Sequence, residues 1–223
     1  MFINILIFDT ETTGLPKKYN DPFNSSNYSD CSMIEFGYTR VVINTRLSTI
    51  AEIERGDLFV KRTIPEKSKT FIKQLTNIDN ELLEKKGLDI KQVLEKFINL
   101  YSYSDYVVGH NVSFDMDLMI HELHTNGFEE DAARMFKTDN TICTMKTACK
   151  VLGYNKWPKL IHLYKDLFGE EFKGAHNALQ DVLATQDCFC SMVEKGCIQF
   201  EESYLRFIPL TSKDVNEGKE SSK

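Results

Sequence analysis

Several things are scarce in this chain of 223 residues, and each scarcity removes a class of protein. No apolar run approaches the roughly 18 residues of a membrane-spanning helix. The opening segment MFINILIF carries no basic residues and stops at Asp9, too short for a signal peptide or a span. The expectation is therefore no membrane association and a cytoplasmic or otherwise intracellular, non-secreted protein. The cysteines Cys31, Cys143, Cys149, Cys188, Cys190 and Cys197 include no C-x-x-C pair, which argues against a zinc site or a disulfide framework. Three of them fall in a helical pattern, where a free thiol acts as a small hydrophobe. With only 11 Gly and 5 Pro and no internal repeat, fibrous and low-complexity classes drop out.

A positive surplus is also missing, since the net charge is −6. The charge is uneven, however. From Arg134 to Lys173 there are eight Lys or Arg against four acids. A solvated helical face accounts for that surplus as well as a phosphate-binding surface does.

What is present has ordinary globular composition and the length of one domain. Residues 2–8 read as a buried strand, and 16–31 as an irregular surface insertion. The stretches MIEFGYTRVVI from Met33 and LFVKRTI from Leu58 suggest a hairpin or meander, with ragged pairing through Glu52 to Asp57. Helices follow from Asp79 to a stop at Gly87, and from Asp89, where apolar residues fall at 90, 93, 94, 97, 98 and 101. Next come a strand over 105–109, a helix over 113–127 with Ser113 as N-cap, and a shorter helix over 129–137. A strand over 139–143 and helices over 144–152, 160–168 and 176–195 complete the order. This predicts an α/β fold, a mixed sheet flanked by helices, as a single domain over 1–210 with a polar tail over 211–223.

Within that order, "FDTETTG" places Asp9 and Glu11 two apart on a strand, hence on the same face. Like charges so close repel, and a divalent cation is the usual compensation. Two further acids suit such a site. Asp115, in "VGHNVSFD", falls where a strand turns into a helix, and Asp181 follows His176 by five residues in "AHNALQD". Strand C-terminal ends and helix starts are where α/β sheets gather their sites. Each fragment alone also has an ordinary reading, as a turn, a helix-dipole acid or a structural histidine.

Together, "FDTETTG", "GHNVSFD" and "AHNALQD" resemble the three motifs of the DEDDh 3′–5′ exonucleases, the family of proofreading epsilon subunits and ribonuclease T. The resemblance spans about residues 3 to 195, matches all five signature positions in type and order, and implies a ribonuclease H-like mixed five-stranded sheet. It departs in an insertion at 16–31 longer than typical and in "LTNID" from Leu75, a loose match to the family's T-G-I-T segment. It implies two Mg²⁺ or Mn²⁺ ions, which suit oxygen ligands and catalyse phosphodiester hydrolysis when about 3.5–4 Å apart. By resemblance, Asp9 bridges both ions, Glu11 and Asp181 hold the water-activating ion, Asp115 serves the second, and His176 is the general base. The resemblance further implies a terminal-nucleotide pocket lined by Thr12, Thr13 and Leu15, with Asn111 and Phe114 supporting the site and His110 structural. The expected substrate is a single-stranded or frayed 3′ end of DNA, with a DNA polymerase as partner. An RNA-trimming enzyme of the same family and a catalytically idle nucleic-acid- or polymerase-binding module are the alternatives. Two other features have plainer expectations. His121 and His124 have the wrong spacing for a zinc-protease motif and read as a partly exposed helical pair. Trp157, the only tryptophan, reads as a loop anchor in the core, with stacking or a cation–π contact as the alternative.

Overall fold

The computed structural model describes residues 1–46 and 49–200, together with the backbone of 207–209. Strand β1 (Phe2–Thr12) is the middle of a five-stranded sheet of order β3-β2-β1-β4-β5. It pairs antiparallel with β2 (Met33–Asn44), which pairs antiparallel with β3 (Thr49–Phe59). On its other side it runs parallel to β4 (Tyr106–Gly109), which runs parallel to β5 (Thr141–Cys143). Both faces of β1 are buried, which explains its nearly unbroken apolar run.

Alternation along β1 divides the molecule into layers. Leu6 and Phe8 face a core shared with α3 (Ile90–Ser102) and α4 (Val112–Thr125). Ile3, Ile5 and Ile7 face a second core, shared with α6 (Thr144–Val151), α7 (Leu160–Phe168) and α8 (Ala178–Glu194). Two short helices, α1 (Glu66–Thr76) and α2 (Asn80–Lys86), cover a smaller cluster around Ile34, Ile64 and Leu83. Helix α5 (Glu129–Lys137) follows α4, and a small hairpin of β6 (Ile198–Phe200) and β7 (Phe207–Pro209) comes last. Among the described residues no helix is long and apolar enough to cross a membrane. The tail expected over 211–223 lies outside the described residues.

Four local expectations are corrected. Strand β1 runs on to Thr12, so Asp9 and Glu11 lie inside it. The hairpin's second strand is Thr49–Phe59, and the ragged pairing reduces to one bulge, because Arg40 faces Glu54 and Val41 faces Glu52, leaving Ile53 extra. Helix α1 was not foreseen, since only Ile72 and Thr76 of its residues are buried. Helix α4 starts from Asn111 rather than Ser113.

The insertion is ordered, through a stripe on α4 at positions 114, 117, 121 and 124. Tyr19 tilts on Phe114, and the Asn20 N–H donates to Asp117 at 2.9 Å. His121 Nδ1–H donates to the Pro22 carbonyl at 2.9 Å, and its ring stacks on Tyr28 with centroids 4.1 Å apart. Phe23 meets His124 edge-on. The spacing of three or four residues is that of one helix face. His121 is thus buried, contrary to the partly exposed pair expected, and both histidines hold the insertion.

Candidate active site

Strand β4 ends at Gly109, beside Phe8 and short of the last residues of β1. From Asp9 onward β1 therefore has an open edge on that side. A two-residue turn, His110 and Asn111, leads into α4. Asn111 has φ 68°, a left-handed conformation that asparagine tolerates better than most residues. This tight turn sets Asp115 in the first turn of α4, where its Oδ1 accepts the Thr10 N–H (3.0 Å) and the Thr10 hydroxyl (2.6 Å). Thr10 thus fills its open-edge donor with the carboxylate itself.

Asp9 and Glu11 lie on the other face of β1, towards α8. The close approach of α8 depends on Gly37, opposite Asp9, where a Cβ would meet the Ala178 carbonyl carbon at 2.4 Å. Buried Glu35, opposite Glu11, accepts the Asn177 side-chain amide at 2.9 Å and the Ala178 N–H at 3.0 Å. It thereby fixes the start of α8. Just before that start, His176 takes φ 67°, a strained left-handed conformation, and its N–H donates to Asp181 at 2.9 Å. One donor atom each from Glu11, His176 and Asp181 lie within 4.8 Å of one another.

The carboxylates repel one another and are withdrawn from water. Burial holds the Asp9 carboxyl well above its ordinary range, reinforced by the charges of Asp115, Asp181 and Glu11. Glu11 is pushed up to about 8 by burial and by Asp181 and Asp115. Asp115 is raised by burial against the pull of its Thr10 hydrogen bonds, and Asp181 by burial against the His176 N–H. No ion pair among the described residues involves any of the four. A set of oxygen donors with one imidazole and no built-in counter-charge fits a hard divalent cation.

The remaining site residues divide. Asn111 and Phe114, in the turn and helix start that carry Asp115, line a cavity with Tyr19, Lys146 and Trp157. Leu15 is 67% exposed at the surface. The Thr12 hydroxyl turns to the Gly14 carbonyl at 2.7 Å. Thr13 is buried, its hydroxyl donating to the Asp30 carbonyl and accepting the Ser32 N–H, so it ties the two ends of the insertion together. His110 bridges the Thr144 hydroxyl and the Pro158 carbonyl, the structural part expected of it. Trp157 is 69% exposed and lines the same cavity, which overturns the core-anchor expectation. Sequence reasoning missed Thr10 and Glu35, whose partners lie 105 and 142 residues away. Only the threonine between the paired acids offered a signal.

Residues 6–189 match the family model RNase_T, described as exonuclease. The chain is 26% identical over 190 residues to a PolC-type DNA polymerase III of Caldanaerobacter subterraneus, covering 85% of this chain and 12% of that protein. It is 31% identical over 132 residues to the DNA polymerase III epsilon subunit of Aquifex aeolicus, covering 59% of each. The chain thus spans a small part of one relative and just over half of the other. Its fold resembles that of E. coli exonuclease I crystallised with a dT13 oligonucleotide, with a TM-score of 0.62 at 18% identity over 85% of this chain and 41% of that one. The five-stranded mixed sheet is the architecture the motifs implied, and with the match covering residues 6–189, most of its length, the chain belongs to the RNase_T exonuclease family.

Proposed function

We propose that this protein is a two-metal-dependent 3′–5′ exonuclease that hydrolyses the terminal phosphodiester bond of DNA and releases nucleoside 5′-monophosphates. The observation that carries the reading is the clustering of Glu11, His176 and Asp181, with Asp9 under the charges of Glu11, Asp115 and Asp181, and with no ion pair to any of these acids among the described residues. Asp9 and Asp115 would hold one Mg²⁺ or Mn²⁺ ion, and Asp9, Glu11 and Asp181 the other. When bound, these ions supply the positive charge that favours ionised water and offsets charge on the phosphate and the leaving oxygen.

The chain's own residues orient the reaction. Thr10 steadies Asp115, and Glu35 steadies the turn that carries His176 and Asp181. The His176 imidazole accepts the proton of the attacking water as its oxygen bonds to phosphorus. The bond from phosphorus to the 3′ oxygen breaks, and that oxygen takes a proton from solvent. Exposed Leu15 and the nearby Thr12 would border the terminal base, with Leu15 as the wedge. The names of the two polymerase relatives support DNA as substrate and a polymerase as partner.

The test uses 5′-labelled single strands, 3′-mismatched duplexes and 3′-recessed duplexes, each as DNA and as RNA, with Mg²⁺ and with EDTA. Products should shorten from the 3′ end, fastest on single-stranded and mismatched DNA, and no products should form in EDTA. Opening a terminal pair costs about 1–2 kcal/mol per step, or roughly a five- to thirty-fold preference for frayed ends. Preference for RNA would replace DNA with RNA as the substrate. Internal cuts, or full activity in EDTA, would contradict the reading.

A further inference from the structure

The β2–β3 hairpin carries a second acid beside Glu35. In its register Glu35 faces Phe59 and Gly37 faces Asp57, so Glu35 and Asp57 are diagonal neighbours on one face of the sheet. That face is the one α8 covers. The two side chains come within hydrogen-bonding reach of each other. Glu35 is fully buried, and Asp57 Oδ1 is buried without a hydrogen-bond partner among the described residues. Neither acid takes part in an ion pair among those residues. Lys86 lends Asp57 some positive charge, but its ammonium lies 6.0 Å over the Phe59 ring.

Two carboxyl groups in contact, away from water and cations, cannot both keep a charge. One proton between them turns the repulsion into a hydrogen bond. On its other side Glu35 already accepts the Asn177 side-chain amide at 2.9 Å and the Ala178 N–H at 3.0 Å. A carboxylate has lone pairs for a further donor, so the contact with Asp57 does not compete with these two.

We propose that Asp57 is a positioning residue for cleavage, sharing one proton with Glu35 so that the paired acids hold the start of α8, and with it His176 and Asp181, in place. The effect on cleavage rests on the exonuclease reading. The turn before α8 needs such an anchor. His176 holds φ 67°, a conformation that persists only where the surroundings over-determine it. Glu35 without Asp57 is a buried acid with no partner for its charge. Such a group takes a whole proton on itself or swings towards water. Either change loosens its hold on Asn177 and Ala178.

Asp57→Leu removes the shared proton, whereas the amide of Asp57→Asn still donates to Glu35. The first measurement is hydrogen exchange at the Ala178 amide of the metal-free full chain, at a temperature where every variant is folded. Exchange should quicken in Asp57→Leu by roughly 2- to 12-fold, the worth of one hydrogen bond. Asp57→Asn should exchange like the wild type. The second measurement is steady-state cleavage of labelled single-stranded DNA with Mg²⁺. A misplacement of about 1 Å at a reacting group can cost on the order of 10²-fold. Asp57→Leu should therefore lower kcat by roughly 10- to 100-fold with KM nearly unchanged, and Asp57→Asn should restore kcat. Ala178 exchange that is unchanged in Asp57→Leu, or equally fast in both variants, would overturn the shared proton. Faster exchange with an unchanged kcat would overturn the positioning role and leave the exonuclease reading standing. If the wild type cleaves nothing, that reading falls and takes the role in cleavage with it, while exchange at Ala178 still decides whether the acids act as a pair.

Discussion

Asp115 and Glu122 lie on the same helix two turns apart, at 3% and 2% exposure, yet the protein treats their charges in opposite ways. Glu122 receives a bidentate pair from Arg62, at 2.7 and 2.6 Å, together with the Met33 N–H and the Asn126 amide. Its carboxylate is fully matched from within the chain. Asp115 has hydrogen bonds from Thr10 but faces Asp9 and Asp181 rather than a cation. A buried charge without a partner destabilises a fold unless something outside the chain supplies one. The first site is finished by folding, whereas on the proposed reading the second is finished by a cation.

The largest effects should come from breaking the second site. Asp9→Asn or Asp181→Asn should abolish cleavage of 5′-labelled single strands, yet raise the melting temperature of the metal-free protein, because repulsion is relieved. A lower metal-free melting temperature would contradict the repulsion. His176→Ala should slow turnover by about 10²–10⁴-fold, the usual range for a general base. Calorimetry should then show Mn²⁺ affinity almost unchanged. Turnover near that of the wild type, measured where chemistry limits the rate, would move the base elsewhere.

Breaking the first site should show up in stability. Arg62→Ala leaves Glu122 buried and unpaired, a loss on the order of 3–5 kcal/mol. Chemical denaturation should show that loss with or without Mg²⁺, while the folded variant still cleaves DNA at low temperature. A Mg²⁺-dependent rescue of its stability would blur the distinction between the two sites.

The smallest effect is a pH dependence confined to the second site. Burial and repulsion raise these carboxyls, so between about 4.5 and 8, the range of Glu11, the folded metal-free chain holds protons that the unfolded chain has released. Stability of the metal-free protein should therefore fall as pH rises through that window. Melting curves at pH 5 and pH 8 with EDTA check the sign, and added Mg²⁺ should remove most of the loss at pH 8.

Much of this difference was legible in the sequence and part of it was not. The clustered acids sit in short motifs whose spacing reports strand and helix geometry directly. Asp9 and Glu11 share a face because strands alternate, and Asp181 falls in a helix's first turn. Their supports are non-local. Glu35 sits in an ordinary strand pattern, and only the register opposite Glu11 brings it to the start of α8. The Arg62–Glu122 pair was equally hidden, since Arg62 fell in a stretch read as a strand. The edge strand β3 is largely exposed and alternates weakly, which is why its span was misplaced, and α1 was missed because only two of its residues are buried. The insertion read as irregular because its order comes from α4 and not from any pattern of its own.

The claim that the second site is built for external cations is tested most directly by titrating the protein with Mn²⁺ in a calorimeter at pH 8, without nucleic acid. The wild-type protein should bind Mn²⁺ saturably, and Asp9→Asn should lose most of that binding while remaining folded. No binding by the wild type, or undiminished binding by the variant, would contradict the account.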